Sequence, residues 1–326
     1  MKDINVLVTG AVTPTVADGL SNAFTVHHLA KQGDRAAYLR EHGPKVRGIA
    51  ATGSHGAIGS ELFDQLPNLE IVSNFGVGYD NVDVGEARRR GIVVTNTPEV
   101  LTDEVADLAL GLLIATVRQL TRAEQHLRSG AWRDGAFPLS PSLRGRNVGI
   151  VGLGRIGKAI ATRCEAFGLP VSYHGRNPQS GVAYPYHQSV EDLAQNVDIL
   201  IMVTPGGPET RQIVNAAVLQ ALGPNGVFIN VARGSVVDED ALINALRDKT
   251  ILAAGLDVFE NEPNIRAEFL ELENAVLLPH VASGSVHTRQ AMGQLVVDNL
   301  LSWFDGRGAL TPVPELAEVA RGGKAS

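Results

Sequence analysis

The sequence has almost no cysteine, no excess of basic residues and no long apolar run, and each scarcity excludes a class of protein. The single cysteine, Cys164, cannot form an intrachain disulfide, and no Cys and His residues cluster at zinc-ligand spacing. We therefore expect no metal site and a reducing, cytoplasmic environment. The formal net charge of -7 gives no broad positive field for nucleic acid.

Apolar runs in the chain are short. The run LALGLLIATV has ten residues, about half of what a membrane-spanning helix needs. The N-terminal NVLVTG has the pattern of a strand rather than of a signal-peptide core. We expect no membrane segment.

Strand-like and helix-like segments alternate in two series. The first series is NVLVTG, TVHHL, VRGIAATG, LEIVSNFG and IVVTNTP, and the second, which starts after about residue 145, is NVGIVGL, PVSYHG, DILIMVT, GVFINVA, ILAAGLDVF and AVLLPHVA. Such alternation is typical of parallel α/β sheets. The sequence thus predicts two doubly wound parallel-sheet domains, with five strands and then six.

Two long helical segments decide how these domains are connected. LTDEVADLALGLLIATVRQLTRAEQHLRSG between the two series predicts a single helix of about thirty residues, long enough to pack on another subunit. SVHTRQAMGQLVVDNLLSWFDG near the C-terminus has no strand after it, so we expect this helix to return to the first domain. The prediction is a discontinuous domain of residues 1–98 plus 286–326, an inserted domain of residues 99–285, and an extended end from Arg307 onward.

A glycine-rich turn lies between NVGIVGL and the helix that follows it. The turn reads Gly152, Leu, Gly154, Arg155, Ile156, Gly157. The first glycine permits a tight turn, the second lets the backbone approach a pyrophosphate, and the third allows close helix packing. G-x-G-x-x-G alone is weak, but here it follows a strand and opens a helix. We predict that this segment holds a dinucleotide in the inserted domain.

The end of the next strand indicates which dinucleotide is bound. An acidic residue at this point, about 20 positions on, accepts hydrogen bonds from the adenosine ribose. This chain has His174, Gly175, Arg176 and Asn177 there, with no acid before Glu191. Because a guanidinium can pair with a phosphate, the sequence favours NADPH over NADH.

Three chemically active residues follow three different strands of the second series. Arg233 follows GVFINVA, Glu262 comes shortly after ILAAGLDVF, and His280 lies within AVLLPHVA. Carboxyl ends of parallel strands meet at one sheet edge, so we expect these side chains to converge there. A guanidinium can bind a carboxylate, an imidazolium can give a proton, and a carboxylate beside it favours its charged form. This combination indicates reduction of a 2-keto acid. Asp257 is a further candidate, for contact with the nicotinamide or its ribose.

With these motifs in place, the sequence resembles the D-2-hydroxyacid dehydrogenase family almost end to end. The segments that carry the resemblance are NFGVGYDNVD, TPEVLTDEVADLALGLL, LRGRNVGIVGLGRIGKAIA, NVARGSVVDEDAL, AGLDVFENEP and LLPHVAS. The resemblance implies a Rossmann cofactor domain inserted into a flavodoxin-like substrate domain. It also implies a homodimer formed through the cofactor domain.

The resemblance further implies a role for each matching residue. Arg233 would bind substrate, Glu262 would be the partner of the histidine, and His280 would be the acid/base. Contacts to substrate or cofactor are also implied for four other residues, with Val77 and Gly78 at the substrate carboxylate, Asp257 at the carboxamide and Ser283 at the cofactor edge.

Arg176 and Asn177 in place of the acid resemble NADPH-dependent glyoxylate and hydroxypyruvate reductases. Another range of 2-keto acids, and a cofactor-sensing binding protein similar to the corepressors of this fold, are the alternatives. Trp132 either reaches the active site of a neighbouring subunit or belongs to the core.

Overall fold

The computed structural model of the protein describes residues 1–52 and 56–321. Within them the strands are β1 (Asn5–Val8), β2 (Thr25–His28), β3 (Val46–Thr52), β4 (Ile71–Phe75), β5 (Val93–Thr95), β6 (Val148–Val151), β7 (Val171–His174), β8 (Tyr186–His187), β9 (Ile199–Met202), β10 (Val227–Asn230), β11 (Ala253–Leu256) and β12 (Ala275–Leu277). The helices are α1 (Pro14–Ala23), α2 (Arg35–His42), α3 (Ser60–Phe63), α4 (Val84–Arg89), α5 (Thr102–Val117), α6 (Leu120–Arg128), α7 (Arg155–Ala166), α8 (Val190–Gln195), α9 (Ala216–Leu222), α10 (Glu239–Arg247), α11 (Ala267–Leu270) and α12 (Val286–Phe304). No helix in these ranges combines the length and the apolar character needed to cross a membrane.

The first of two compact units contains residues up to Leu101 and those from Ser285 onward. Its sheet has the order β2-β1-β3-β4-β5 with parallel pairing throughout, which is the flavodoxin-like order. Helix α12 packs on this sheet, where Ser73 donates a hydrogen bond to the carbonyl of Val296 at 3.0 Å. Gly48 lies under the same helix, and a Cβ there would stand 3.1 Å from Leu300 and Phe304. A larger residue at position 48 would push α12 away.

The second unit runs from Thr102 to Gly284. Its sheet has the order β12-β11-β10-β9-β6-β7-β8, again parallel. Counted from β6, this is the Rossmann order with one additional strand. The predicted fold class, two doubly wound parallel sheets, is confirmed. The expected six strands are wrong by one, because the two-residue β8 is too short to show an apolar run.

The central strands of this sheet are buried along their whole length. Every residue of β6, β9 and β10 is buried, as expected for parallel strands covered on both faces. Polar side chains therefore gather where the strands end. The carboxyl ends of β6, β7, β10, β11 and β12 carry the motifs identified in the sequence.

The predicted thirty-residue helix is in fact two helices. Gln119 has φ of 51°, in the left-handed region, and separates α5 from α6. Helix α5 buries eight residues, whereas α6 buries none. The two helices thus lie in different environments, and no glycine or proline in the sequence marks the break.

The prediction of an extended C-terminal end is wrong for residues 307–321. Pro312 forms an antiparallel bridge with Thr95, and the N–H of Val313 donates to the carbonyl of Val94 at 2.9 Å. Val313 and Leu316 are fully buried in the first unit. These two apolar residues, three positions apart, hold this segment, but two residues are too few to establish a periodic pattern in the sequence. The last five residues lie outside the described part of the chain.

Candidate active site

His280 and Glu262 form an ion pair beyond the ends of β12 and β11. Nδ1 of His280 lies 2.6 Å from Oε2 of Glu262, whose other oxygen accepts the N–H of Phe259 at 2.9 Å. A carboxylate only accepts, so His280 donates through Nδ1–H, and Nε2 is the ring nitrogen left for a ligand. Burial acts to raise the pKa of Glu262, but hydrogen bonds from His280 and Phe259 outweigh it and hold that pKa below its usual value. With 45% of its side chain exposed, His280 is accessible to a ligand.

The backbone of His280 is held in an uncommon conformation. Its φ is 53°, in the left-handed region, which is unfavourable for residues other than glycine. The carboxylate of Asp257 accepts the N–H groups of Val281 at 2.7 Å and Ala282 at 2.8 Å. The carbonyl of Asp257 also accepts the N–H of His280 at 2.8 Å. Asp257 therefore fixes the turn that directs the His280 ring, a role that the sequence did not reveal.

Asp257 is fully buried in this turn. Burial raises the pKa of its carboxyl group, and the two backbone hydrogen bonds counteract part of that rise. The structure places Asp257 directly after β11 rather than within the strand. Its carboxylate is thus part of the loop that contains His280, next to Ser283.

Arg233 lies in a tight turn after β10 that Asn230 organises. The Asn230 side chain accepts the N–H of Ala232 at 3.0 Å and donates to the carbonyl of Arg233 at 3.0 Å. Asn230 is almost fully buried, so these bonds are not exchanged for water. The guanidinium of Arg233 donates to the carbonyl of Ala232 at 2.8 Å. Asn230 was not among the residues predicted from the sequence, although a polar residue inside the apolar run GVFINVA could have identified it.

The Arg233 turn packs directly on the loop that carries Glu262. A Cβ on Gly234 would stand 1.8 Å from the backbone carbon of Phe259 and 2.1 Å from the nitrogen of Glu260, so only glycine fits there. Arg233 is also close enough for its charge to contribute to the lowered pKa of Glu262. The structure therefore brings together Arg233, Glu262 and His280, as the strand ends suggested.

The glycine-rich turn after β6 has room for a pyrophosphate. Gly152 has φ of 100°, and a Cβ on Gly157 would stand 2.1 Å from the carbonyl oxygen of Gly152. A Cβ on Gly154 would meet nothing within 4 Å, so the space before α7 is open. The hydroxyl of Thr204, whose methyl group lies beside Gly152, is buried without a partner in the described ranges. These features fit a dinucleotide whose phosphates meet the α7 N-terminus.

The residues predicted to bind the cofactor and to determine its type lie in this turn and in the neighbouring loop after β7. Arg155 and Ile156 occupy the first two positions of α7. Arg176 and Asn177 are exposed in the loop after β7, and the N–H of Gly152 donates to the carbonyl of His174 at the end of that strand at 2.9 Å. The β6 and β7 loops are therefore neighbours.

Val77 and Gly78 belong to the first unit, in the loop after β4. The side chain of Asn96 donates to the carbonyl of Val77, and that of Asn74 donates to the carbonyl of Gly78, both at 2.9 Å. Within residues 1–52 and 56–321, the N–H groups of Val77 and Gly78 donate to no other group. They are available to a carboxylate.

Trp132 lies in a short 3-10 turn after α6 and is 66% exposed. It is not part of the core of its own unit. Leu120 and Leu127 on α6 are also exposed, at 47% and 57%.

This chain combines a Rossmann sheet, a glycine-rich turn and a histidine–carboxylate pair. Together these features are typical of the two-domain, nicotinamide-dependent dehydrogenases. Residues 110–282 match the family model described as "D-isomer specific 2-hydroxyacid dehydrogenase, NAD binding domain". The chain is 46% identical to a glyoxylate/hydroxypyruvate reductase of Arabidopsis thaliana, over 96% of this chain and 100% of the relative. It is 45% identical to the hydroxyphenylpyruvate reductase of Plectranthus scutellarioides, with the same coverage of both chains. The protein therefore belongs to the D-isomer-specific 2-hydroxyacid dehydrogenase family.

A solved structure supports the same assignment. The chain superposes with a TM-score of 0.90, at 54% identity, on an NADPH-dependent glyoxylate/hydroxypyruvate reductase of Sinorhizobium meliloti in complex with NADP and malonate, covering 96% of this chain and 97% of that one.

Proposed function

We propose that the protein reduces a small 2-keto acid, glyoxylate or hydroxypyruvate, to the D-2-hydroxy acid with NADPH. The observation that carries this proposal is the ion pair between His280 and Glu262, 2.6 Å apart at the Rossmann sheet edge. The names of the Arabidopsis relative and the Sinorhizobium structure support the substrate class. The name of the Plectranthus relative points to a larger keto acid, so pocket size distinguishes the substrates.

His280 acts as the proton donor. When bound, the reduced nicotinamide supplies hydride to the carbonyl carbon. Because Nδ1 of His280 is bonded to Glu262, the proton for the carbonyl oxygen comes from Nε2. The negative charge of Glu262 stabilises the imidazolium before transfer.

Arg233 binds the substrate carboxylate and polarises the ketone. Its guanidinium has donors in a planar fork that matches a carboxylate. The N–H groups of Val77 and Gly78 provide a further anion site in the first unit. We accordingly propose that residues 1–98 plus 286–326 form the substrate domain and residues 99–285 the cofactor domain.

The cofactor is held along the carboxyl edge of the second sheet. The pyrophosphate meets the turn from Gly152 to Gly157, including the N–H groups of Arg155 and Ile156. Arg176 and Asn177 bind the phosphate on the adenosine ribose, which NADH lacks. Ser283 would contact the nicotinamide end, next to the turn that the buried Asp257 carboxylate holds.

We also propose a homodimer in the cytoplasm. Leu120, Leu127 and Trp132 expose apolar surface on and after α6, and a second copy of the cofactor domain would cover it.

The test is the loss of reduced-nicotinamide absorbance with glyoxylate and with hydroxypyruvate, using NADPH and NADH in parallel. We expect faster oxidation of NADPH, and a loss of kcat/KM of about 10- to 150-fold in Arg233→Ala, because a charge-assisted carboxylate contact disappears. Arg307→Ala, which removes an exposed arginine of the first unit, is the matched control. Near-normal turnover of Arg233→Ala would contradict the assigned site. No turnover of either acid by the wild type would favour a cofactor-sensing binding protein.

A further inference from the structure

The loop that carries Arg176 is fixed at both ends by tyrosine hydroxyls. At its start, the hydroxyl of Tyr186 donates to the carbonyl of Gly175 at 3.1 Å. At its end, the N–H of Gln179 donates to the hydroxyl of Tyr173 at 2.7 Å. The two tyrosines are paired across β7 and β8, with ring centroids 5.4 Å apart. The short strand β8 thus stabilises this loop through Tyr186.

Gln179 also joins this loop to the phosphate turn. Its side-chain Nε2 donates to the carbonyl of Leu153 at 2.8 Å, and Leu153 lies between the glycines 152 and 154. Gln179 therefore bonds both to the Tyr173 hydroxyl at the end of the Arg176 loop and to the glycine-rich turn after β6. Tyr173 is only 2% exposed, so the Arg176 loop is anchored to a residue of the core.

Arg176 itself is exposed, and no other residue in the described ranges pairs with its guanidinium. Its position is therefore set by the loop and not by contacts of its own side chain. A loop that is already ordered loses less entropy when a ligand binds to it. The more firmly the loop is anchored, the more of the arginine–phosphate attraction appears as affinity.

We propose that Gln179 is a positioning residue for cofactor selectivity, which fixes the Arg176 loop against the phosphate turn so that the guanidinium meets the ribose phosphate of NADPH. This inference rests on the proposed use of NADPH. NADH has no phosphate at that ribose and gains nothing from Arg176. Releasing the loop should therefore weaken the binding of NADPH more than that of NADH. If Gln179 had a purely structural role, its loss would weaken the binding of both cofactors alike.

The experiment measures dissociation constants of NADPH and NADH by titration calorimetry, together with kcat and KM, for the wild type and Gln179→Ala. We expect the dissociation constant and KM for NADPH to rise about three- to tenfold, the factor of one typical hydrogen bond. The values for NADH should change by less than about twofold, and kcat at saturating NADPH should stay within about twofold of the wild type. Gln65→Ala is the matched control, since Gln65 donates to the carbonyl of Glu61 in the first unit in the same way.

Two further variants separate positioning from folding. In an Arg176→Ala background, Gln179→Ala should have no further selective effect on NADPH, because the residue that it positions is gone. Tyr173→Phe removes only the acceptor for the Gln179 N–H and should reproduce the selective loss, which keeps the test available if Gln179→Ala folds poorly.

Each outcome bears on a different claim. An unchanged ratio of NADPH to NADH affinity in both Gln179→Ala and Tyr173→Phe would overturn the inference, and so would an undiminished Gln179→Ala effect in the Arg176→Ala background. A wild type without any preference for NADPH would instead overturn the proposed cofactor itself.

Discussion

Replacing Asp257 by alanine removes the carboxylate that holds the loop of His280. Two hydrogen bonds are lost, those from the N–H groups of Val281 and Ala282, at 2.7 and 2.8 Å. Each bond to a charged group contributes about 1.5–3 kcal/mol. The pKa of Asp257 is nevertheless raised, so desolvation of the charged carboxylate outweighs this gain, and the cost of the variant comes mainly from leaving the two N–H groups without their acceptor. We expect a net loss of about 2–4 kcal/mol in the free energy of unfolding.

Activity should fall as well. His280 has φ of 53°, and such strained backbone persists only where the surroundings hold it. With the carboxylate gone, the His280 turn can relax towards a commoner conformation and move the ring away from Glu262. We expect kcat to fall even at saturating cofactor.

The assay is urea unfolding at pH 7, with kcat measured on the same preparations. Asp83→Ala is the control, since Asp83 accepts one backbone N–H, that of Glu86, at the start of α4 in the first unit. It should lose only about 1 kcal/mol and keep its kcat. Asp257→Asn, which retains one acceptor oxygen, provides the comparison if the alanine variant does not fold. A loss below about 1 kcal/mol in Asp257→Ala, with normal turnover, would refute the argument that this carboxylate holds the turn.

Three further predictions concern the ion pair and the apolar surface of α6. In Glu262→Gln the kcat of keto-acid reduction should fall, because the carboxylate that accepts the Nδ1–H of His280 is replaced by a neutral amide; an unchanged kcat would remove this role of Glu262. Because the pKa of Glu262 is lowered from 4.5, its contribution to stability is complete above that pH and disappears as the pH falls through the lowered pKa. The melting temperature of Glu262→Gln should therefore depend less on pH between about 6 and 3 than that of the wild type. Leu127→Glu should shift the mass in light scattering from the proposed dimer towards monomer, whereas Leu270→Glu, at a leucine of the same unit that is more exposed, should not; the same mass for both variants would place the interface elsewhere.

Much of the fold follows from local patterns in the sequence. Strands such as β6 and β9 contain no polar side chain, so they are buried on both faces, and their alternation with helices leaves parallel sheets as the solution. The glycine turn was equally clear, because its φ values and close approaches exclude other residues at Gly152 and Gly157. Where the periodicity carried no signal, at Gln119 and in residues 307–321, the sequence-based prediction was wrong.

The order of residues along the chain was enough to place Arg233, Glu262 and His280 at strand ends, since position after a parallel strand depends only on that order. The orientation of these side chains could be read only from the folded protein. Nδ1 of His280 meets Glu262 because Asp257 holds a left-handed turn, and Arg176 stands where Gln179, Tyr173 and Tyr186 fix its loop. Such contacts join residues that are distant in the chain through single hydrogen bonds, and these leave no periodic trace in the sequence.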